Sequence, residues 1–313
     1  MNPNGQANTG ALSGHGSGAG WARPEHTLRM FTITRAVVEN EQTTMLYLTP
    51  GLGSAPGQFV MAWLPGHSER PFSIASDTAA EAVADGETGL AQGKFSISVA
   101  GVGESSKAIA SLQPGAQLGI KGPLGKGFSL QGRHVIAIGG GYGLGPMTRV
   151  VADALAAGLQ ATLIVGARSK EFIILRSTID RLVRERARVI ITTNDGSEGI
   201  KGMVTDALAQ LIADGVAAGG QDGHDGQDVM VYGCGPELML KAIFDLCEQN
   251  SMSCQLSIER YMKCGIGLCG SCCLDTDGWR ACKEGPVFST EQLRRISEFG
   301  KYHRDATGQK IPY

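Results

Sequence analysis

Four cysteines near the C-terminal end have the spacing of a metal centre. Cys264, Cys269 and Cys272 follow the pattern C-x4-C-x2-C, and Cys282 comes after nine further residues. This is the plant-type [2Fe–2S] arrangement. Such a loop must turn three thiolates towards one cluster while its backbone N–H groups donate to sulfur. Gly265, Gly267 and Gly270 supply the positive φ angles and close approach that this needs. A zinc knuckle is the competing reading, but zinc usually takes paired knuckles, and the second half here holds one cysteine. Inert buried thiols are a third reading. Cys273 competes with Cys272 by proximity; neighbouring side chains point apart, so Cys272 is the expected ligand. Cys247 and Cys254 lie outside the pattern and read as small buried hydrophobes.

Four further stretches have phosphate and ring chemistry. Arg70-Pro71-Phe72-Ser73 is expected at the end of a strand. The Arg70 guanidinium offers a fixed fork of donors to a pyrophosphate, Phe72 an aromatic face for an isoalloxazine or adenine, and Ser73 a hydroxyl. Gly103, Ser105 and Ser106 open a helix whose free N–H groups suit a phosphate. Gly122 to Phe128 then closes the region with a glycine turn. In isolation Arg70 reads as a surface arginine before a proline; the order of the three motifs is what points to FAD. Gly139-Gly140-Gly141-Tyr142-Gly143-Leu144-Gly145-Pro146 follows a buried strand and precedes a helix, the context of a dinucleotide site. It is not G-x-G-x-x-G, because the last glycine comes too soon and a proline follows. Gly233-Cys234-Gly235-Pro236 ends a later strand, where such sheets bind ligands. Cys234 there is either a contact for a nicotinamide or a packed thiol.

The elements that must hold these residues fall into three units after an extension at 1–26 that is Gly/Ser/Asn-rich and lacks an apolar signal core. Over 27–131, short segments at Met30–Val37, Thr44–Thr49, Phe59–Leu64, Phe95–Val99 and Gln117–Lys121 alternate with Pro-Gly turns, which predicts an antiparallel barrel. Ser105–Leu112 is its one predicted helix and Asp77–Gly93 an inserted loop. Over 132–248, apolar strands at His134–Ile138, Thr162–Gly166, Arg188–Thr192 and Asp228–Tyr232 alternate with helices, which predicts a doubly wound parallel sheet; Gly219–Gln227 reads as a surface loop before the last of them. Residues 249–313 form a small cysteine module. The class is therefore α+β, multidomain.

The 313 residues carry a net charge of -2, and 42% are hydrophobic. Nothing in that balance calls for nucleic acid or an anionic membrane, and no apolar stretch is long enough to span a bilayer. All eight cysteines lie from Cys234 onwards. A disulfide framework would staple the whole chain, so their clustering points to a reducing compartment, the cytoplasm.

The order of motifs resembles the ferredoxin–NADP reductase superfamily. Glu259-Arg260-Tyr261-Met262-Lys263-Cys264-Gly265-Ile266-Gly267 and Cys282-Lys283-Glu284-Gly285-Pro286-Val287-Phe288 resemble the electron-transfer subunit family of dihydroorotate dehydrogenase B. That resemblance implies an oxidoreductase subunit holding FAD and [2Fe–2S] and using NAD. It implies an FMN-containing catalytic partner that oxidises dihydroorotate in pyrimidine (UMP) biosynthesis, the two assembling as a heterotetramer. FAD would contact Arg70, Pro71, Phe72, Ser73, Gly103 and Ser106. Gly140, Gly141 and Pro146 would shape the dinucleotide site, with Asp195 in a facing loop and Cys234 near the reacting ring. Ser105-Ser106 departs from the Gly-Thr common in the family. Arg168 and Lys170 are cations that suit a 2′-phosphate and Glu171 nearby points the other way, so NAD is favoured over NADP by resemblance alone. The alternative is a related subunit of a hydrogenase or of an NADH-dependent ferredoxin:NADP oxidoreductase.

Overall fold

The computed structural model describes residues 24–78, 93–216 and 228–313. The expected inserted loop, apart from its ends, the expected loop at 219–227 and most of the extension at 1–26 lie outside the described residues. Six antiparallel strands close a barrel: β1 (Arg29–Val38), β2 (Thr43–Thr49), β3 (Phe59–Trp63), β4 (Arg70–Thr78), β5 (Lys94–Ala100) and β6 (Gln117–Leu124), in the order β1-β2-β5-β4-β3-β6. Helix α1 (Glu104–Ala110) connects β5 to β6. Side chains alternate between faces with period two. Phe72 and Ile74 of β4 and Phe95 and Ile97 of β5 therefore fill the barrel interior. Ser96 and Ser98 point outward yet are buried, because the second domain covers that face.

The motif at Arg70 opens β4 rather than ending a strand, which corrects its expected position. The reason is the hairpin from β3: Ala62 pairs with Arg70 and Phe59 with Ser73. Strand β4 meets β5 only from Ile74 onward. Pro71 thus sits where one strand edge is open and the loss of an N–H is tolerated. Asp77 and Thr78, expected in the loop, finish β4 instead. The Asp77 carboxylate accepts from Leu52 N at 3.2 Å and from Ser54 N and Oγ at 2.6 Å each.

The second sheet contains β7 (His134–Gly140), β8 (Gln160–Ala167), β9 (Arg188–Thr193), β10 (Ile200–Lys201), β11 (Val229–Cys234) and β12 (Ser253–Ser257), all parallel. Their helices are α2 (Leu144–Ala156), α3 (Arg176–Arg184), α4 (Val204–Ala213) and α5 (Glu237–Gln249). Runs such as Val135-Ile136-Ala137-Ile138 are buried on both faces, as a covered parallel sheet requires. The strand order is β10-β9-β8-β7-β11-β12, with one further strand beyond β12, formed by Val287–Ser289. Successive strands step away from β7 and then return on its other side at β11, so the switch point lies between β7 and β11.

After β12 the chain leaves the sheet, makes the pair β13 (Cys273–Leu274) and β14 (Trp279–Arg280), and returns as the antiparallel edge β15 (Val287–Ser289). Helix α6 (Thr290–Arg295) and the hairpin β16 (Tyr302–Arg304) and β17 (Lys310–Pro312) follow. The cysteine segment is therefore an excursion between two strands of the nucleotide sheet. One hydrophobic core runs through all three regions: Phe59, Met61 and Leu124 of the barrel, Leu240 and Leu256 of the sheet layer, and Cys272 and Cys282.

Candidate functional site

A cavity of ≈ 400 Å³ opens between barrel and sheet, a volume typical of small-molecule sites. It is bordered by Arg70 to Ser73, by Ser98 and Ala100, by Gly103 and Ser106, by Tyr142 of the glycine turn, and by residues of the segment after β12. Ser98 Oγ is buried and has no hydrogen-bond partner. A buried hydroxyl without a partner is costly, so this wall suits a ligand that hydrogen-bonds it. Arg70 stacks 5.6 Å from the centre of the Tyr261 ring. Phe72 is turned mostly into the barrel core. The Ser106 hydroxyl accepts from Gly103 N at 2.9 Å and donates to Gly103 O at 3.1 Å, which caps α1. Ser105 is buried nearby but does not border the cavity.

The glycine turn and the cysteine turn meet at the switch point, where Gly139 pairs with Cys234. Most of these glycines are required by packing. A Cβ on Gly140 would lie 2.7 Å from Met239 Sδ, and one on Gly143 would strike the Cys234 carbonyl. A Cβ on Gly145 would come 2.5 Å from the Ala75 methyl, so this glycine lets α2 lie against β4. Gly141 has φ +54 and open space before it, which leaves backbone accessible at the sheet edge. Pro146 is in the first turn of α2, where a proline is tolerated. The turn carrying Asp195 ends β9 on the same sheet edge. Its carboxylate accepts from Ser197 N at 2.9 Å and Oγ at 2.7 Å, and it does not border the cavity. The Arg168 guanidinium stacks 4.1 Å from the Phe172 ring and donates to Gln42 Oε1 at 3.0 Å.

The four thiols fall into two pairs, Cys264 with Cys269 and Cys272 with Cys282, each within hydrogen-bonding reach. Backbone donors point at the sulfurs: Gly267 N to Cys282 Sγ at 3.2 Å, Leu268 N to Cys264 Sγ at 3.3 Å, and Cys282 N to Cys272 Sγ at 3.5 Å. Among the described residues, no three His, Cys, Asp or Glu side chains converge as a single ion requires. Two pairs of thiols suit a binuclear centre better than one tetrahedral zinc. Its hydrogen bond to Cys282 draws the Cys272 thiol down to about 7. At Cys269 burial opposes ionisation, but bonds from Ser271 and Cys264 prevail and hold it at about 6. Cys273 goes the other way: burial and the neighbouring Cys272 raise it. Gly265, at φ +71, lets the loop sit on Met61 of the barrel, 2.5 Å from where a Cβ would be. Leu268 is 80% exposed at the tip of this loop, beside the exposed Cys269.

Between cavity and thiols lies a polar pair that joins the glycine motif to the wall. Tyr142 donates to Glu259 Oε2 at 2.8 Å. Burial among surrounding atoms is the main cause that raises the Glu259 carboxyl, with Glu237 adding to it. Its solvent-accessible face opens into the cavity, so water there tempers that rise and a ligand filling the space strengthens it. Cys234 is buried and its thiol is pushed up to about 12, by burial first and then by Glu259. It is therefore a neutral thiol and not a nucleophile. Arg260 is 2% exposed and makes ion pairs with Glu237 at 2.6 Å and Glu298 at 2.7 Å. Tyr142 stands inside the glycine motif and Glu259-Arg260 inside the stretch that carries the resemblance, but neither context by itself gives any of the three a role; for Ser98 only the phase of β5 could have singled it out.

Comparison with known proteins bears on these groups directly. A family profile described as the iron–sulfur cluster binding domain of dihydroorotate dehydrogenase B matches residues 259–294. An oxidoreductase NAD-binding domain profile matches 137–245. A protein of Methanocaldococcus jannaschii named "Probable dihydroorotate dehydrogenase B (NAD(+)), electron transfer subunit" is 38% identical over 82% of this chain and 88% of its own length. One of Pyrococcus furiosus with the same name is 39% identical over 85% and 91%. Among solved structures, an NADH-dependent reduced ferredoxin–NADP oxidoreductase superposes with a TM-score of 0.69 at 24% identity, over 87% of this chain and 94% of that one. The ferredoxin reductase of carbazole 1,9a-dioxygenase gives 0.57 at 18% identity, over 72% and 66%. The solved structures share the fold.

Proposed function

We propose that this chain, which belongs to the dihydroorotate dehydrogenase B electron-transfer subunit family, carries electrons from a catalytic partner through [2Fe–2S] and FAD to NAD+. The partner is an FMN-containing subunit that oxidises dihydroorotate, and the two assemble as a heterotetramer. The observation that carries this reading is the shared wall. The segment after β12 borders the cavity at Glu259, Arg260 and Met262 and reaches the first thiol at Cys264. Bound FAD and [2Fe–2S] would supply the exchange between two-electron hydride chemistry and single-electron transfer.

The residues present fit both groups. Ser73, the unpartnered Ser98 hydroxyl and the Arg70 fork border the space for the flavin, while Gly103 and the capped Ser106 border its far end. Cys264, Cys269, Cys272 and Cys282 would hold the cluster, with backbone N–H groups on their sulfurs. Gly140, Gly141 and Pro146 would receive the dinucleotide, with the neutral Cys234 thiol against its ring and Asp195 on a turn at the rim. Glu259 would present its carboxyl oxygens beside the flavin, with Tyr142 fixing its orientation. Among the described residues no helix is long and apolar enough to cross a membrane.

The test is an anaerobic purification with flavin and iron assays, followed by NADH. About one FAD and two irons per chain, bleached by NADH, are expected. Addition of the FMN subunit and dihydroorotate should then give NAD+ reduction. Reduction of ferredoxin in place of NAD+-linked dihydroorotate oxidation would assign the chain to the ferredoxin-dependent alternative.

A further inference from the structure

Three charged side chains are buried where the cavity wall, the nicotinamide-side turn and the thiol loops converge. Glu237 is the first residue of α5, directly after Cys234-Gly235-Pro236. Arg260 lies on the wall between the cavity and Cys264. Glu298 follows α6. Their side chains are 4%, 2% and 0% exposed. Arg260 Nε donates to Glu298 Oε1 at 2.7 Å, Nη1 to Glu237 Oε2 at 2.6 Å and Nη2 to Glu237 Oε1 at 3.1 Å; Nη1 also donates to the Glu259 carbonyl at 2.6 Å. The remaining carboxylate valences go to backbone. Gly300 N donates to Glu237 Oε1 and Asp275 N to Glu298 Oε2, both at 3.1 Å. Asp275 lies in the β13–β14 connection shortly after Cys272.

A fully ligated buried triad of this kind is poor value as stabilisation. Burying three charges has a large desolvation cost, and well-packed apolar residues in their place are often as stable or more so. What the triad has, and apolar packing lacks, is direction. The planar fork of Arg260 admits two carboxylates at fixed angles, so three separate chain segments are held in one relative placement. Those segments are the turn at the switch point, the wall of the flavin cavity and the stretch after α6, which in turn holds the thiol excursion through the Asp275 N–H.

We propose that Arg260 is a positioning residue for electron transfer: through Glu237 and Glu298 it fixes the wall 259–263, and with it the separation of the flavin cavity from the cluster loop. This rests on the electron-transfer reading above. Single-electron transfer weakens steeply with distance and with disorder in the intervening wall, whereas hydride exchange with NADH would take place at the dinucleotide turn and would not cross the wall. The two steps should therefore respond differently to loosening of the triad.

The experiment uses the whole chain with its native cofactors and two conservative variants. R260K keeps the charge but loses the fork, and E298Q keeps the shape but loses one charge. The probe is NADH. Flavin bleaching is followed by stopped flow, and cluster reduction by EPR of rapidly frozen samples; the equilibrium midpoint potentials of both centres are measured alongside. In R260K, cluster reduction should slow by about tenfold or more beyond any slowing of flavin reduction, with unchanged potentials and a broadened cluster signal. E298Q should show a smaller effect in the same direction. If R260K does not fold, E298Q together with the triple variant R260M/E237L/E298M, which packs the site with apolar side chains, decides the matter: stable protein with slow cluster reduction supports the proposal. Equal slowing of both steps, or a lower melting temperature with both rates intact, overturns it. Wild-type chain lacking flavin or iron would sink the electron-transfer reading itself, and that is known before any variant is made.

Discussion

Replacing Gly145 by alanine sets two known effects against each other and lets the sign decide. Gly145 lies in the first turn of α2, and alanine in a helix is favoured over glycine by up to about 1 kcal/mol. Against this, the new methyl would come 2.5 Å from the Ala75 methyl and 2.9 Å from its Cα. Carbon contacts are comfortable at about 3.5–4.0 Å, so helix and strand must separate by roughly 1 Å. Overpacking of this size costs about 1–3 kcal/mol. Overpacking should win, leaving G145A destabilised by about 1–2 kcal/mol and its melting temperature lower by roughly 2–8 °C. The partner substitution A75G removes the 2.5 Å contact but leaves the 2.9 Å one to Cα. In the double variant only part of the loss should return, with a coupling energy of about 1 kcal/mol. Thermal and denaturant unfolding of the four proteins measures this, and flavin retained after desalting reads the consequence for the site. Alpha2 carries the glycine turn and β4 carries Arg70 to Ser73, so moving them apart should loosen the flavin. If G145A proves more stable than wild type, or the two substitutions simply add within about 0.5 kcal/mol, then α2 does not rest on β4 through this contact.

Three other outcomes follow from the site. C272S should lose the cluster while C273S keeps about two irons per chain, because the Cys272 sulfur lies against Cys282 and accepts from its backbone N–H at 3.5 Å; iron analysis and EPR distinguish them. The folded Glu259 carboxyl lies above its ordinary 4.5. The stability it contributes is therefore present below that value and is lost as pH rises through the folded one. E259Q should show no such loss, so the stability of wild type relative to E259Q should decline from mildly acidic to neutral pH in melts across that range. L268D, at the exposed tip beside Cys269, should leave iron, flavin and NADH bleaching intact but weaken association with the catalytic subunit by about tenfold, as analytical ultracentrifugation would show; undiminished association would place the docking face elsewhere.

Much of this architecture is legible without coordinates because its parts announce themselves locally. The thiol spacing, the buried strand at His134–Gly140 and the turn glycines each depend on near neighbours in sequence. The parts that were missed depend on pairing between distant segments. Strand β4 begins at Arg70 because β3 folds back on it, and no run of apolar residues marks that start. The excursion of the cysteines from between β12 and β15 is invisible in sequence, since Ser253–Ser257 and Val287–Ser289 are too short to declare which sheet they join. The same limit applies to Ser98. Its alternation with Phe95, Ile97 and Val99 predicts an outward side chain, but only the second domain makes outward mean buried.

That excursion also explains why the three chemistries lie together. In doubly wound sheets ligands bind at the C-terminal ends of the strands, next to the switch point. Strand β12 is parallel to β11 and ends at Ser257, in register with Cys234. Any segment that leaves β12 and returns antiparallel as β15 must begin at that same edge. Its first residues then become a wall of the space beside the dinucleotide turn, which is where Glu259 meets Tyr142 and Arg260 meets Glu237. The thiols come next along the chain and need no scaffold of their own to lie near that edge. What they need is a fixed distance from it. Met61 packs on Gly265, Lys126 N donates to the Gly285 carbonyl at 2.6 Å and Ser297 N to the Asp275 carbonyl at 2.9 Å; the bonds of Arg260 to Glu237 and Glu298 add the directional tie across the wall itself.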